Sequence, residues 1–134
     1  MINSADEFVR LRTSELREEY LQAAEGEASI AVWMEVIARF PDMREWVALN
    51  KTVPLEVLAV LAGDASASVR ATVADKRRLS PTLFQSLSLD DDDVVRQRIA
   101  YNKKVPPHLL DRLAEDPSPM VREAARMRLR RVGA

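Results

Sequence analysis

Apolar residues in this chain recur at helical spacing, and that spacing itself recurs at a longer period. Val69, Val73 and Ala74 share one face of a short helix, and Leu58 and Leu61, with Val57 beside them, share one face of another. Shifting the register by 26 residues finds the same residue types again. Val47, Val73, Ile99 and Ala125 align, as do Leu58, Phe84 and Leu110, and Leu61, Leu87 and Leu113. The pairs Met43-Arg44, Val69-Arg70, Val95-Arg96 and Val121-Arg122 follow the same step, as do Asp64, Asp90 and Asp116. No gap is needed from Met43 to Arg128. The pattern predicts an all-α fold built from 26-residue units, each a short helix A followed by a helix B.

Local punctuation agrees. Pro54, Pro81 and Pro106 stand at or near the first turn of each helix B, where a missing N–H costs nothing. Ser80 reads as a cap before Pro81, and the Asp/Ser turns Asp64 to Ser68, Asp90 to Asp93 and Asp116 to Ser118 can cap each helix A. Residues 1–42 fit the register poorly. Ser4 and Glu7 form a capping-box pattern, Glu15 to Glu25 a second helical stretch, and Ser29 a cap for a third helix carrying Trp33, Val36 and Ile37. The expected layout is a single domain over 1–134: an N-terminal helical cap (1–42), three full repeats plus the start of a fourth (43–128), and a basic C-terminal cap helix (121–134).

Composition narrows the chemistry. The 134 residues carry 20 Lys plus Arg against 21 Asp plus Glu, a net charge of −1, which disfavours a globally basic nucleic-acid binder but not a local patch. With no cysteine and one histidine, neither thiol catalysis nor a thiolate or multi-histidine metal site is available. No apolar stretch reaches the ~20 residues of a membrane span, and the start of the chain lacks the basic and apolar blocks of a secretory signal. A cytoplasmic protein without metal or cofactor is the expectation. The acidic run Asp90 to Asp93 lacks the alternating ligands, glycine and distant glutamate of a calcium loop, and reads as capping. His108 follows two prolines at a polar register position and reads as a surface residue.

Val95, Arg96, Ala100, Asn102, Pro106, Leu109, Leu110, Leu113 and Asp116 give the unit VRxxxAxNxxxPxxLLxxLxxDxxxx. It resembles the leucine-rich repeat variant, a relative of HEAT repeats, over roughly residues 43 to 128. The chain departs from it at Lys76 and Ser80, where sister units have Asn and Pro. The resemblance implies a short right-handed α-helical solenoid, and mostly a non-enzymatic binding scaffold, with a minority of the family acting on DNA. It also implies a structural ladder between neighbouring repeats from an Asp and the Arg six residues on, here Asp64/Arg70, Asp90/Arg96 and Asp116/Arg122.

Two surfaces are candidates for binding. On helix A, the face opposite the core carries Glu45, Trp46 and Leu49, then Ala71, Thr72 and Asp75, then Gln97, Arg98 and Tyr101, then Glu123, Ala124 and Met127. Because Trp, Tyr and Arg most often anchor interfaces, Trp46, Leu49, Asp75, Arg98 and Tyr101 are the expected contacts for a protein partner. The alternative is nucleic acid along a basic edge of A-to-B turns, Lys51, Arg77, Arg78, Lys103 and Lys104, extended by Arg126, Arg128, Arg130 and Arg131. The same cations also suit helix C-termini. The expected function is a bacterial module for one dedicated protein partner, of the immunity or antitoxin kind.

Overall fold

The structure is a computed structural model; it describes the backbone of residues 1–133 and the side chains of residues 1–131, so Ala134 of the expected C-terminal cap lies outside the described residues. The described chain is all-helical, and it divides into two compact units, Met1–Leu61 and Ala62–Ala134.

The first unit holds α1 (Ala5–Arg12), α2 (Arg17–Glu25), α3 (Ile30–Arg39), a 3₁₀ turn (Pro41–Met43), α4 (Arg44–Leu49) and α5 (Leu55–Leu61). Ser4 and Ser29 start α1 and α3 by accepting the N–H groups of Glu7 (3.0 Å) and Val32 (3.2 Å). The capping box is only half closed, since Glu7 reaches the N–H of Asn3 rather than that of Ser4. α3 packs on α1, α4 and α5. Its Trp33 is fully buried and meets Phe8 of α1 edge-on, with ring centroids 5.2 Å apart. Ile2 ties the N-terminal end down by donating to the Glu27 carbonyl at 2.7 Å.

The second unit holds α6 (Ala67–Ala74), α7 (Pro81–Leu87), α8 (Asp93–Tyr101), α9 (Pro107–Leu113) and α10 (Pro119–Gly133). α6, α8 and α10 begin at positions 26 residues apart, and so do α7 and α9. α8 is central, packing against α6, α7, α9 and α10. Side chains cap α6, α7 and α8: Ser66, Ser80 and Asp92 respectively. Val95, Ile99 and Ala100 of α8 are buried, with Leu87 of α7, Leu109 and Leu113 of α9, and Val121 and Ala125 of α10.

One polar device recurs through this unit. The arginine in the first half of each A helix donates from Nη1 to the carbonyl six residues before it: Arg70 to Asp64 (2.7 Å), Arg96 to Asp90 (2.7 Å) and Arg122 to Asp116 (2.9 Å). The six-residue offset is therefore met by the backbone. The carboxylate comes from twenty residues further on. Arg70 grips Asp90 through Nε (2.9 Å) and Nη2 (3.2 Å), and Arg96 grips Asp116 through the same two nitrogens (2.8 and 3.1 Å). Both pairs are largely shielded, with side-chain exposures of 17% and 10% for the first and 15% and 7% for the second. Bidentate, charge-assisted geometry of this kind offsets the desolvation that a shielded ion pair incurs. Each aspartate also accepts the N–H two residues on, Asp90 from Asp92 and Asp116 from Ser118, which shapes the turn into the next helix.

Burial alone raises the Asp116 pKa, but the Arg96 hydrogen bonds, the Ser118 N–H and the charges of Arg96 and Arg122 outweigh it, leaving the carboxyl below its ordinary 3.8. A depressed carboxylate contributes stability above its unfolded pKa and loses it as pH falls through the folded one. Asp116→Asn is therefore expected to cost about 2–3 kcal/mol near neutral pH. On acidification from about pH 7 to about pH 3 it should lose less stability than the parent chain. Urea unfolding at both pH values checks this; equal losses would contradict it.

Candidate partner-binding surface

The geometry of the second unit begins with a buried amide. Asn102 ends α8, is 5% exposed, and donates from Nδ2 to the carbonyls of Ala74 (2.8 Å) and Lys76 (2.7 Å), while its Oδ1 accepts the N–H of Lys104 (2.9 Å). One side chain thus clamps the turn after α6 to the turn after α8. Arg128 of α10 adds a third element by donating to the carbonyls of Tyr101 (2.8 Å) and Asn102 (3.2 Å), which end α8 without helical partners. The segments bearing Arg77, Arg78, Lys103 and Lys104 are consequently neighbours. All four side chains are exposed, and none has a carboxylate within ion-pair distance among the described residues.

The first unit has its own version of the clamp. Asn50 donates to the carbonyls of Ala23 (2.8 Å) and Gly26 (3.0 Å), and Thr52 Oγ1 donates to Gly26 as well (3.1 Å). A Cβ on Gly26 would stand 2.6 Å from the Gln22 carbonyl oxygen, so this close approach needs glycine. Lys51 is paired with Glu25 at 3.3 Å and so differs from its register mates Arg77 and Lys103. At the register position between the two asparagines stands Lys76, whose ammonium burial pushes below the usual lysine range.

The residues expected to contact a protein divide between the units. Asp75, Arg98 and Tyr101 lie in the second. Arg98 Nη1 donates to the Asp75 carboxylate at 2.5 Å, joining the C-cap of α6 to α8, and both side chains are nearly half exposed. Tyr101 is 45% exposed and immediately precedes the Asn102 clamp and the two lysines. Trp46 and Leu49 lie in the first unit, 39% and 47% exposed, with the Arg12 guanidinium 3.8 Å from the Trp46 ring centroid. The continuous face of A helices expected from the register is interrupted, because Ala71, Thr72 and Ala124 are buried. Small residues at those positions pack into the interior, whereas the longer Arg98, at the register of Thr72 and Ala124, reaches out to Asp75.

Three aspartates of the acidic run are engaged internally. Asp90 holds Arg70, Asp92 caps α8 through the Val94 N–H (2.8 Å), and Asp93 accepts from the Ser118 hydroxyl (3.1 Å). Arg112 donates to the Ser88 hydroxyl at the same end of the unit. A shallow depression of about 480 Å³ lies here, lined by Leu89, Asp91, Arg112 and Glu115 beside the Arg96–Asp116 pair. His108 is exposed. The second unit thus carries positive charge on its A-to-B turns and negative charge on its B-to-A turns, and on the negative side Asp90 and Asp116 are paired with arginines. By sequence it has 14 Lys and Arg against 10 Asp and Glu, while the first unit has 6 against 11.

Sequence reasoning missed Asn50 and Asn102 as organisers of these turns. They stand two repeat periods apart, with Lys76 at the position between them, and that recurrence was visible while the clamping role it serves was not. Comparison with protein-family models, curated proteins and solved structures gives no match.

Asn102→Ala leaves the Ala74 and Lys76 carbonyls and the Lys104 N–H without their partner, and is expected to cost about 2–4 kcal/mol. Lys104→Ala should stay within about 0.5 kcal/mol of the parent. Guanidinium unfolding of both variants checks the contrast; equal effects would remove the clamp from the account.

Proposed function

We propose that the chain is a non-enzymatic module that binds one dedicated, acidic protein partner, docking it on the second unit at Tyr101 and the cations Arg77, Arg78, Lys103 and Lys104. The observation that carries this reading is the half-exposed Tyr101 next to four cations that have no counter-charge within ion-pair distance among the described residues. An aromatic anchor rimmed by positive charge suits a partner that brings carboxylates: the ring supplies desolvated contact area, and the charges supply steering and orientation. Asp75 and Arg98 hold each other at the border of this surface and give it a fixed shape. Trp46 and Leu49 of the first unit remain candidate contacts for a protein.

This reading treats the chain as a HEAT-like protein closest to the leucine-rich repeat variant, a short right-handed solenoid with helical caps, working in the bacterial cytoplasm. The 26-residue spacing of helix starts and of arginine contacts supports that assignment. An immunity or antitoxin role, in which the module blocks a toxin, is its most concrete form.

A second reading, nucleic acid along the same edge, is favoured by the placement of cations on consecutive turns, with Arg128, Arg130 and Arg131 on α10. Phosphate binding of that kind weakens steeply with salt.

Affinity capture from native lysate separates the readings, using the parent chain beside Tyr101→Ala and Arg77→Glu/Lys103→Glu variants whose folding circular dichroism confirms. One stoichiometric protein captured by the parent and lost from both variants is the expected result. Nucleic acid in the eluate, released by added salt and lost with the double charge reversal, would replace it with the second reading. A partner retained equally by all three would show that this surface is not the site.

A further inference from the structure

The first unit exposes large apolar side chains along two neighbouring helices. α3 and α5 pack on each other, and α5 starts at Leu55, 25 residues after the start of α3 at Ile30. In that register Trp33 and Leu58 are both buried, as are Val36 and Leu61. Outward, the same register matches Ile30 with Leu55 and Met34 with Ala59, and Val60 follows on α5. Ile30, Met34, Leu55 and Val60 are each between 37% and 44% exposed. Apolar residues scattered singly are ordinary on a surface, whereas a contiguous strip marks a contact. The helical framework does not require apolar residues here. α5, α7 and α9 start at successive 26-residue steps, and the positions of Ala59 and Val60 hold Gln85 and Ser86 in α7, then Asp111 and Arg112 in α9, all exposed. Charge around the strip is negative. Glu27, three residues before Ile30, and Glu56, next to Leu55, are exposed and form no ion pair among the described residues. Arg39 is the one cation on α3 and α5, and it is shared by two carboxylates, Asp6 and Glu35, each at 3.2 Å.

We propose that the outer strip of α3 and α5 is a docking face for a basic amphipathic helix of a protein. Two helices packed side by side offer a shallow furrow, and an apolar stripe at i, i+3, i+4 and i+7 is the pattern that fills one. α3 has ten residues, about 15 Å, which accommodates about three turns of an incoming helix. Charge complementarity selects the occupant: lysines or arginines flanking the stripe would meet Glu27, Glu56 and the carboxylates that share Arg39. A second copy docking across a two-fold axis would bring its own acidic rim against this one, and an anionic membrane would likewise set negative charge against negative. The partner is opposite in charge to the one proposed for the second unit, so this face stands independently of that reading.

The test titrates the full chain, labelled with nitrogen-15, with a blocked Leu/Ala/Lys peptide of roughly four helical turns whose leucines follow i, i+3, i+4, i+7 spacing. The expected result is saturable movement of the α3 and α5 amide signals. It should be lost with a peptide of the same composition whose order is scrambled, and with one carrying Glu in place of Lys. Met34→Gln combined with Leu55→Gln removes apolar contact without changing charge and should weaken binding about tenfold or more. Glu27→Gln combined with Glu56→Gln should weaken it about two- to fivefold and flatten its salt dependence. The unperturbed signals of the second unit report that each variant is folded, and the peptide comparison decides the matter on the parent chain alone. No saturable movement, equal binding of the scrambled peptide, or shifts centred on Tyr101 and its neighbouring cations would overturn the proposal. So would undiminished binding by either double variant. Signals of α3 and α5 that move with protein concentration alone, and cease to in the Met34→Gln/Leu55→Gln chain, would overturn it in favour of a second copy.

Discussion

The organisation of the second unit depends on one interaction: an arginine held at its base by a backbone carbonyl and at its tip by a carboxylate twenty residues away. The first contact fixes the guanidinium to its own turn, and the second fixes that turn to the next one. Arg70 and Arg96 make this connection twice in succession, and both are shielded enough for bidentate geometry to matter. A shielded pair of this kind contributes modestly as a pair but is costly to break from one side, because a charge is then left without its counter-charge. Its main consequence is therefore alignment. The acidic turns are held at one end of the unit, the A helices are set side by side, and the opposite turns are brought together for Asn102 to clamp.

Charge segregation follows from that alignment. Asp90, Asp92, Asp93 and Asp116 at one end serve arginine pairing, helix capping and turn formation, whereas the cations at the other end follow the ends of α6 and α8, where backbone carbonyls and the Asn102 amide already satisfy one another. Arg128 serves the carbonyls ending α8, and Arg77, Arg78, Lys103 and Lys104 remain in solvent. An exposed tyrosine at that border completes a surface with an apolar centre and a positive rim. The polarity of the unit is thus a by-product of how it is held together, and the proposal of an acidic partner rests on it.

Much of this was legible in the amino-acid sequence because helix starts, caps and core positions are local properties. Ser66, Ser80, Pro81 and Pro106 mark their helices without tertiary help. Which aspartate an arginine holds is not local. With a 26-residue period, Arg70 and Arg96 each stand six residues after one aspartate and twenty before the next, and spacing cannot separate the two. Geometry separates them: the nearer aspartate opens the turn and offers its carbonyl, and the farther one offers its carboxylate. The exposed face was misjudged for a related reason. Helical periodicity places Thr72, Arg98 and Ala124 on one register, but side-chain length decides that Thr72 and Ala124 are enclosed while Arg98 emerges.

The twenty-residue connection is tested most directly by two double-mutant cycles that share Arg96→Met, one combined with Asp116→Asn and the other with Asp90→Asn, read by denaturant unfolding. The account requires a coupling energy of about 1–3 kcal/mol between Arg96 and Asp116, and less than about 0.5 kcal/mol between Arg96 and the Asp90 side chain, which serves Arg70. Strong coupling to Asp90 with none to Asp116 would contradict it, and would place the ladder within each unit instead of between successive ones.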